Sequence, residues 1–463
     1  MHVVRQMIPG RADLATMVKL ALPVATVQVG LMFMGVVDTI MVGHYSVTDL
    51  AAVALGNMYF FTAAVFGMGT LFVLDPTVSQ AYGAGDMEAA AKAIQRGFAL
   101  ALGLGVMAAA LLLPVRAVLT VFQQPPEVIP VAAGYALVSI PGVFPFYAFI
   151  VLRQSLQAMG RVAPIFWTIL VTNVANAFLN WVLIYGHLGF PEMGAVGTGW
   201  ATTVSRWLMA VGLLVFAWPI LRRYIWPVRQ RVFEAVPILR MLKLGAPIGM
   251  HMFLEFGVFG MTALFMGWIG TIAVASHQVA LNMAALTFMF SVGVTQASSV
   301  LVGQAVGAGD PGRARRSAGA GLLLAAGVMS VTAVVFLTVP ETLARIYTDD
   351  PEVIALAALL IPVAGVFQVV DGLQVVATGV LRGVGDTLAP MLVGLLGFWL
   401  IGLPIGFWLG FGRDWGAVGL WWGLAAGLGA VALFLLVRVR VRFGQDLRRL
   451  TLDDEEAALS SPG

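Results

Sequence analysis

Gln80-Ala-Tyr-Gly-Ala-Gly-Asp86 recurs as Gln304-Ala-Val-Gly-Ala-Gly-Asp310, 224 residues downstream. Two further pairs keep nearly the same offset: Gly194-Ala-Val-Gly197 with Gly416-Ala-Val-Gly419, and Ala163-Pro164 with Ala389-Pro390. Self-similarity at a fixed offset marks an internal duplication, so each copy takes about half of the 463 residues. Composition then says what kind of copy it is. The chain is 60% hydrophobic and 11% charged, whereas soluble domains carry about 25% charged residues. A soluble core could not bury this many apolar side chains without leaving large exposed patches. The solvent is lipid.

Apolar stretches lie near 14–42, 48–74, 93–113, 128–150, 163–186 and 194–218, and again near 238–268, 273–300, 317–338, 352–380, 388–410 and 416–437. About 20 apolar residues cross a bilayer, and a helix satisfies its own backbone there, so these are twelve helices, six per copy. An even number means that both copies enter from the same side, which predicts lobes related by an axis along the membrane normal. The expected fold class is all-α integral membrane, with twelve transmembrane helices in two six-helix lobes. Residues 1–218 form the N-lobe (helices 1–6) and 238–440 the C-lobe (helices 7–12). Residues 219–237 are a basic cytoplasmic linker with Trp226 as an interfacial anchor, and 441–463 a flexible cytoplasmic tail. Pro23, Pro141, Pro145, Pro247 and Pro362 fall inside spans and predict bends. The lead from Met1 to Lys19 runs into the first apolar stretch without a small-residue cleavage site, so the first helix is expected to be kept.

Orientation follows from Lys and Arg, which concentrate in cytoplasmic loops. Arg11 and Lys19, Lys92 and Arg96, Arg153 and Arg161, the run Arg222 to Lys243, Arg313 to Arg316, Arg382, and Arg438 to Arg449 all fall on the N-terminal side. Only Arg116, Arg345 and Arg413 fall opposite, and Arg206 lies within a span. Both termini are therefore expected in the cytoplasm. The net charge of +3 is a topology signal here, and no nucleic-acid partner is expected.

The chain has no cysteine, which removes disulfides, thiolate metal sites and cysteine nucleophiles. His251 and Glu255 are spaced i, i+4, but no second His or Glu completes a three-ligand zinc site. No HExxH, GxSxG or phosphate-binding loop occurs. No resident metal, cofactor or enzymatic activity is expected.

Charge at the bilayer centre costs ~2.5–3.5 kcal/mol even on lenient scales, so ionisable groups within spans are functional candidates. They are Asp38, Glu255, Asp371 and Arg206. Amides accompany them at helical spacing: Asn176 with Asn180, Gln278 with Asn282, and Gln368 and Gln374 flanking Asp371 at three residues each way. Amides alone read better as interhelical glue. His251, Phe253, Phe256, Gln278, Asn282, Met283 and Phe288 surround the acid of the seventh span and the amides of the eighth. Met and aromatic walls suit varied apolar ligands, so these seven are the candidate substrate cavity.

These residues resemble the multidrug and toxic compound extrusion (MATE) family, in its NorM-like branch, over essentially the whole chain. The resemblance rests on Val37-Asp38-Thr39-Ile40-Met41-Val42-Gly43, the duplicated Gln-Ala-x-Gly-Ala-Gly-Asp loops, Glu255, Asp371-Gly372, Leu381-Arg382-Gly383 and Gly385-Asp386-Thr387. It implies two six-helix lobes around a central cavity, and export of organic cations and drugs in exchange for sodium ions or protons. It implies an N-lobe cation site at Asp38, Asn176 and Asn180 and a C-lobe site at Glu255 and Asp371, where a sodium ion would bind transiently. A monomer in the bacterial cytoplasmic (inner) membrane, meeting only lipid and small-molecule drugs, is the matching expectation. A flippase for lipid-linked oligosaccharides is the alternative, but its anionic cargo wants a strongly cationic cavity and the spans hold Arg206 alone. A channel wants a ring of repeated polar groups, yet Asp38 maps by the repeat onto Thr262 and Asp371 onto Tyr147.

Overall fold

In the computed structural model, which describes residues 5–453, twelve helices are long and apolar enough to cross a membrane. In chain order the first six are span 1 (Arg11–Gly43), span 2 (Val47–Gly83), span 3 (Met87–Leu112), span 4 (Ile129–Ala158), span 5 (Ala163–Tyr185) and span 6 (Gly194–Phe216). The second six are span 7 (Ala235–Ile269), span 8 (Thr271–Gly307), span 9 (Pro311–Thr338), span 10 (Pro351–Gly383), span 11 (Leu388–Gly412) and span 12 (Gly416–Arg442). No strand occurs among the described residues.

Spans 2, 4 and 8 run on past the ends of their apolar stretches at 74, 150 and 300, to Gly83, Ala158 and Gly307, about two turns or more. Hydropathy stops at the first polar cluster, whereas the helix goes on because those groups are buried: Asp75, Ser79 and Gln80 on span 2, Gln154 and Gln157 on span 4, Ser298 and Ser299 on span 8. Gln154 Nε2 donates to Asp75 Oδ1 at 2.8 Å, and Arg153 Nη1 to Gln28 Oε1 at 3.0 Å.

The duplicated heptapeptide is a helix stop followed by a helix start. Gly85 (φ 72°) and Gly309 (φ 70°) take the left-handed conformation open to glycine. Asp86 N donates to the Ala81 carbonyl and Asp310 N to that of Ala305, both at 2.9 Å. The two carboxylates then cap the next helices, accepting from Ala89 N (2.9 Å) and Arg313 N (2.8 Å). Gly385-Asp386 repeats the turn with φ 79° at the glycine.

The residues pack as two compact units. One gathers the described residues up to Ala25, Gly83–Gly85 and Met250–Leu450; the other gathers Thr26–Tyr82, Asp86–Gly249 and the described residues from Thr451. Spans 1 and 7 thus change unit within a few residues of Pro23 and Pro247, which interrupt their hydrogen-bond ladders. Met17 and Ala21 belong to the core of the second-half unit, and a Cβ on Gly245 or Gly249 would collide with Thr70 or Phe66 of the first-half unit. Pro141 sits in the 3-10 turn Ile140–Gly142, a short break inside span 4, and Pro145 in the first turn of the helix that follows.

The linker is a short helix (Trp218–Ile225) and an irregular stretch pinned by one buried side chain. Gln95 Nε2 donates to the carbonyls of Tyr224, Ile225 and Pro227 at 2.9, 3.1 and 3.0 Å, and its Oε1 accepts from Arg229 N at 2.8 Å. Beyond span 12, Asp453 pairs with Arg96 at 2.6 Å and Lys92 at 3.4 Å. Partial burial works against its charge, but these two cations hold the carboxyl below the usual carboxylate range. The rest of the predicted tail, from Asp454, lies outside the described residues.

Candidate functional site

Each unit holds a polar cluster around the acids that the sequence singled out. In the first-half unit, Asp38 lies five residues before the end of span 1. Span 5 brings Asn180, whose Nδ2 donates to Asp38 Oδ1 at 2.5 Å and to Asn176 Oδ1 at 3.2 Å. Span 6 brings Thr202, whose Oγ1 donates to Asp38 Oδ2 at 2.9 Å. Asp38, Asn176 and Asn180 therefore meet, and Thr202 completes them. The sequence signal for Thr202 was its place one turn before Arg206 in a polar run of span 6. Asn180 Oδ1 is buried with no hydrogen-bond partner among the described residues, so the cluster keeps an unused oxygen beside the carboxylate.

Arg206 is buried and makes no ion pair among the described residues. Its guanidinium lies 3.7 Å from the Phe60 ring centroid and 5.5 Å from that of Phe146, a face-on contact between a cation and π-electrons. Its side chain fills a notch at Gly142, where an added Cβ would fall 3.2 Å from Cδ and 3.3 Å from Nη1. The 3-10 turn around Pro141 thus makes room for the arginine.

In the second-half unit, Glu255 lies midway along span 7 and Asp371 twelve residues before the end of span 10. Gln374 joins them: Nε2 donates to Glu255 Oε1 at 3.0 Å and to Asp371 Oδ1 at 3.2 Å. Gln368 faces elsewhere, donating to Thr287 Oγ1 at 2.5 Å and accepting from Thr332 Oγ1 at 2.6 Å. Span 11 contains two π-helical stretches, Leu395–Gly402 and Trp408–Gly412, a geometry frequent near functional groups. From the first, Trp399 Nε1 donates to the Leu254 carbonyl at 3.1 Å, fixing the backbone beside Glu255. Tyr147, the repeat partner of Asp371, instead donates to the Ala64 carbonyl at 2.9 Å. The duplication is thus chemically asymmetric at this position.

The seven cavity candidates divide. Phe253, Phe256 and Gln278 are exposed, and Asn282 and Phe288 half-buried. Gln278 contacts Asn282 at 3.4 Å and lines a cleft with Gly267, Gly270 and Val274 near the turn between spans 7 and 8. Met283 lies in the packed core of the unit, and His251 is buried against Phe398, with ring centroids 6.0 Å apart. Helical spacing puts His251 and Glu255 on one face; packing decides what that face meets. Among the described residues no group of three His, Asp or Glu is arranged to hold a metal ion.

The MatE family model matches the chain twice, over residues 23–182 and 247–408. The chain is 37% identical to the multidrug resistance protein PmpM of Pseudomonas aeruginosa, covering 97% of this chain and 96% of that one. It is 36% identical to a probable multidrug resistance protein NorM of Rhizobium meliloti, covering 93% of each. Among solved structures, a eukaryotic MATE transporter, AtDTX14, superposes with a TM-score of 0.85 at 20% identity, over 93% of this chain and 99% of that one. The outward-facing conformation of a multidrug resistance MATE family transporter does so at 0.82 and 20%, over 96% and 98%. Twelve spans, the twofold match and the coverage agree, and the chain belongs to the MatE family, built on the fold of the MATE transporters.

Proposed function

We propose that this protein is a multidrug efflux secondary transporter that exports amphiphilic organic cations in exchange for sodium ions or protons, by alternating access. One observation carries the reading: Glu255 and Asp371, two carboxylates withdrawn into an apolar helix unit, share the amide of Gln374 as donor and have no ion-pair partner among the described residues. Carboxylates in such surroundings are costly unless they hold a proton or a cation. An entering ion and a departing organic cation can therefore take turns there. Asp38 with Asn176, Asn180 and Thr202 is a second cation site of the same kind. No cofactor takes part in this scheme; the coupling ion is the only co-reactant. The working unit is a monomer in the bacterial cytoplasmic membrane.

The test is efflux from proteoliposomes loaded with ethidium, driven first by an imposed sodium gradient and then by an imposed pH gradient. Efflux above that of empty liposomes is expected with one of them. Equal rates with and without either gradient would refute exchange. Anionic dyes are expected to be poor substrates under the same conditions, because the acid clusters repel them.

The scheme also needs the two heptapeptide turns on the cytoplasmic side, where the positive-inside rule puts them. Since the chain has no cysteine, single cysteines at Ala84 and Ala308 can be labelled cleanly. Both are expected to resist an impermeant maleimide added to intact cells and to react after permeabilisation. Labelling of either from outside would reverse the topology.

A further inference from the structure

Gln374 is fully buried, and its two ends are treated very differently. Nε2 gives hydrogen bonds to two carboxylates on different spans, at 3.0 Å and 3.2 Å, while Oε1 has no partner among the described residues. A primary amide carries two N–H donors and one carbonyl acceptor. The observed orientation therefore matches two bare carboxylates, both of them acceptors. A proton arriving on either acid changes the requirement, because the new O–H needs an acceptor while only the carbonyl oxygen of that acid still accepts. A sodium ion changes it in the same sense, since a cation takes oxygen ligands and opposes N–H groups. Oε1 is then the nearby acceptor left unsatisfied, and burying it unpaired has a cost that a loaded site relieves.

We propose that Gln374 is a positioning residue of the exchange site: its amide donates to Glu255 and Asp371 when the site is empty and turns Oε1 inward when it is loaded, so that the two carboxylates respond as one. The proposal rests on the reading of Glu255 and Asp371 as the exchange site. The titratable groups facing the amide are those two acids. His251, a turn before Glu255, packs on Phe398, and His277 of span 8 accepts from Trp421 Nε1 at 3.1 Å. Arg382 lies two turns farther along span 10, and the arginines of spans 9 and 12 cluster near their helix ends, at 313–316 and 438–442.

The experiment uses the full-length purified protein with bound ethidium, released by titration with sodium chloride at fixed pH and, separately, with acid at fixed ionic strength. Hydrogen bonds to charged groups are strong enough that Gln374→Leu should move the release midpoint by roughly tenfold in ion concentration. The sodium and acid midpoints should move together, because one amide serves both carboxylates, whereas a merely structural defect would lower ethidium affinity without moving the two midpoints in step. Gln374→Asn keeps the amide one methylene short of its partners and should give the same shift; it carries the test if the leucine variant does not fold. Unchanged midpoints in both variants, with a shifted midpoint in Glu255→Gln, would overturn the proposal. An unchanged midpoint in Glu255→Gln as well would instead remove the exchange-site reading beneath it.

Discussion

Proteoliposomes carrying Glu255→Gln or Asp371→Asn should lose gradient-driven ethidium efflux and fall to the rate of empty liposomes, at wild-type levels of incorporated protein. Each substitution keeps the shape and most hydrogen-bonding capacity of the side chain but removes the group that trades one cation for another. The stake is large. One charge entering through ~100 mV releases ~2.3 kcal/mol, which at ~1.36 kcal/mol per decade sustains a roughly fifty-fold gradient of an electroneutral drug, whereas a monovalent cation leaving against one ion draws on the ion's concentration gradient or on a second ion. A variant unable to bind the ion should hold no gradient, while ethidium binding in detergent persists in part. Asp38→Asn separates the two clusters: if it alone abolishes efflux, the coupling step belongs to the first-half unit. Wild-type efflux in both second-half variants would refute their assignment.

A comparably large effect is expected on folding from Gly423→Leu. Spans 11 and 12 approach through glycine: a Cβ on Gly423 would lie 2.1 Å from Gly406 Cα and 2.3 Å from Gly406 N. Those are backbone atoms of a neighbouring helix, so no rotamer change makes room. Overpacking already costs ~1–3 kcal/mol where side chains can yield. The variant should lose most monodisperse protein on size exclusion, with a lower thermal midpoint in what remains. Gly429→Leu is the control, because its Cβ meets nothing within 4 Å, and it should elute like the wild type. Equal yields from the two variants would show that the helices tolerate separation.

The acids were legible because a carboxylate in an apolar run is conspicuous, and Asp38, Glu255 and Asp371 each stand alone in theirs. Gln374 was visible only as one amide among several spaced to share a face with Asp371, and amides in spans are usually interhelical glue. Thr202 carried less signal still, since hydroxyls in membrane helices commonly return to their own backbone, as Thr172 and Thr295 do here. The seat of Arg206 combines Phe60 of span 2 with Phe146 and a glycine beside the proline turn of span 4, a grouping with no sequence period. Met283 has the composition of a cavity wall but a place in the core.

By itself the sequence determined the solvent, the number of spans, the duplication and the turns that punctuate it. Each follows from a local rule: lipid offers the backbone no partner, so apolar length dictates a helix, and a left-handed glycine before a capping aspartate ends one helix and starts the next. Only the tertiary structure decided which polar groups meet. It carried spans 2, 4 and 8 past their apolar stretches, changed the unit of spans 1 and 7 near Pro23 and Pro247, and set one amide between two carboxylates from different helices. The physical reason is that a buried polar group is stable only with a partner, and that partner is chosen by which helices pack together across more than a hundred residues of chain.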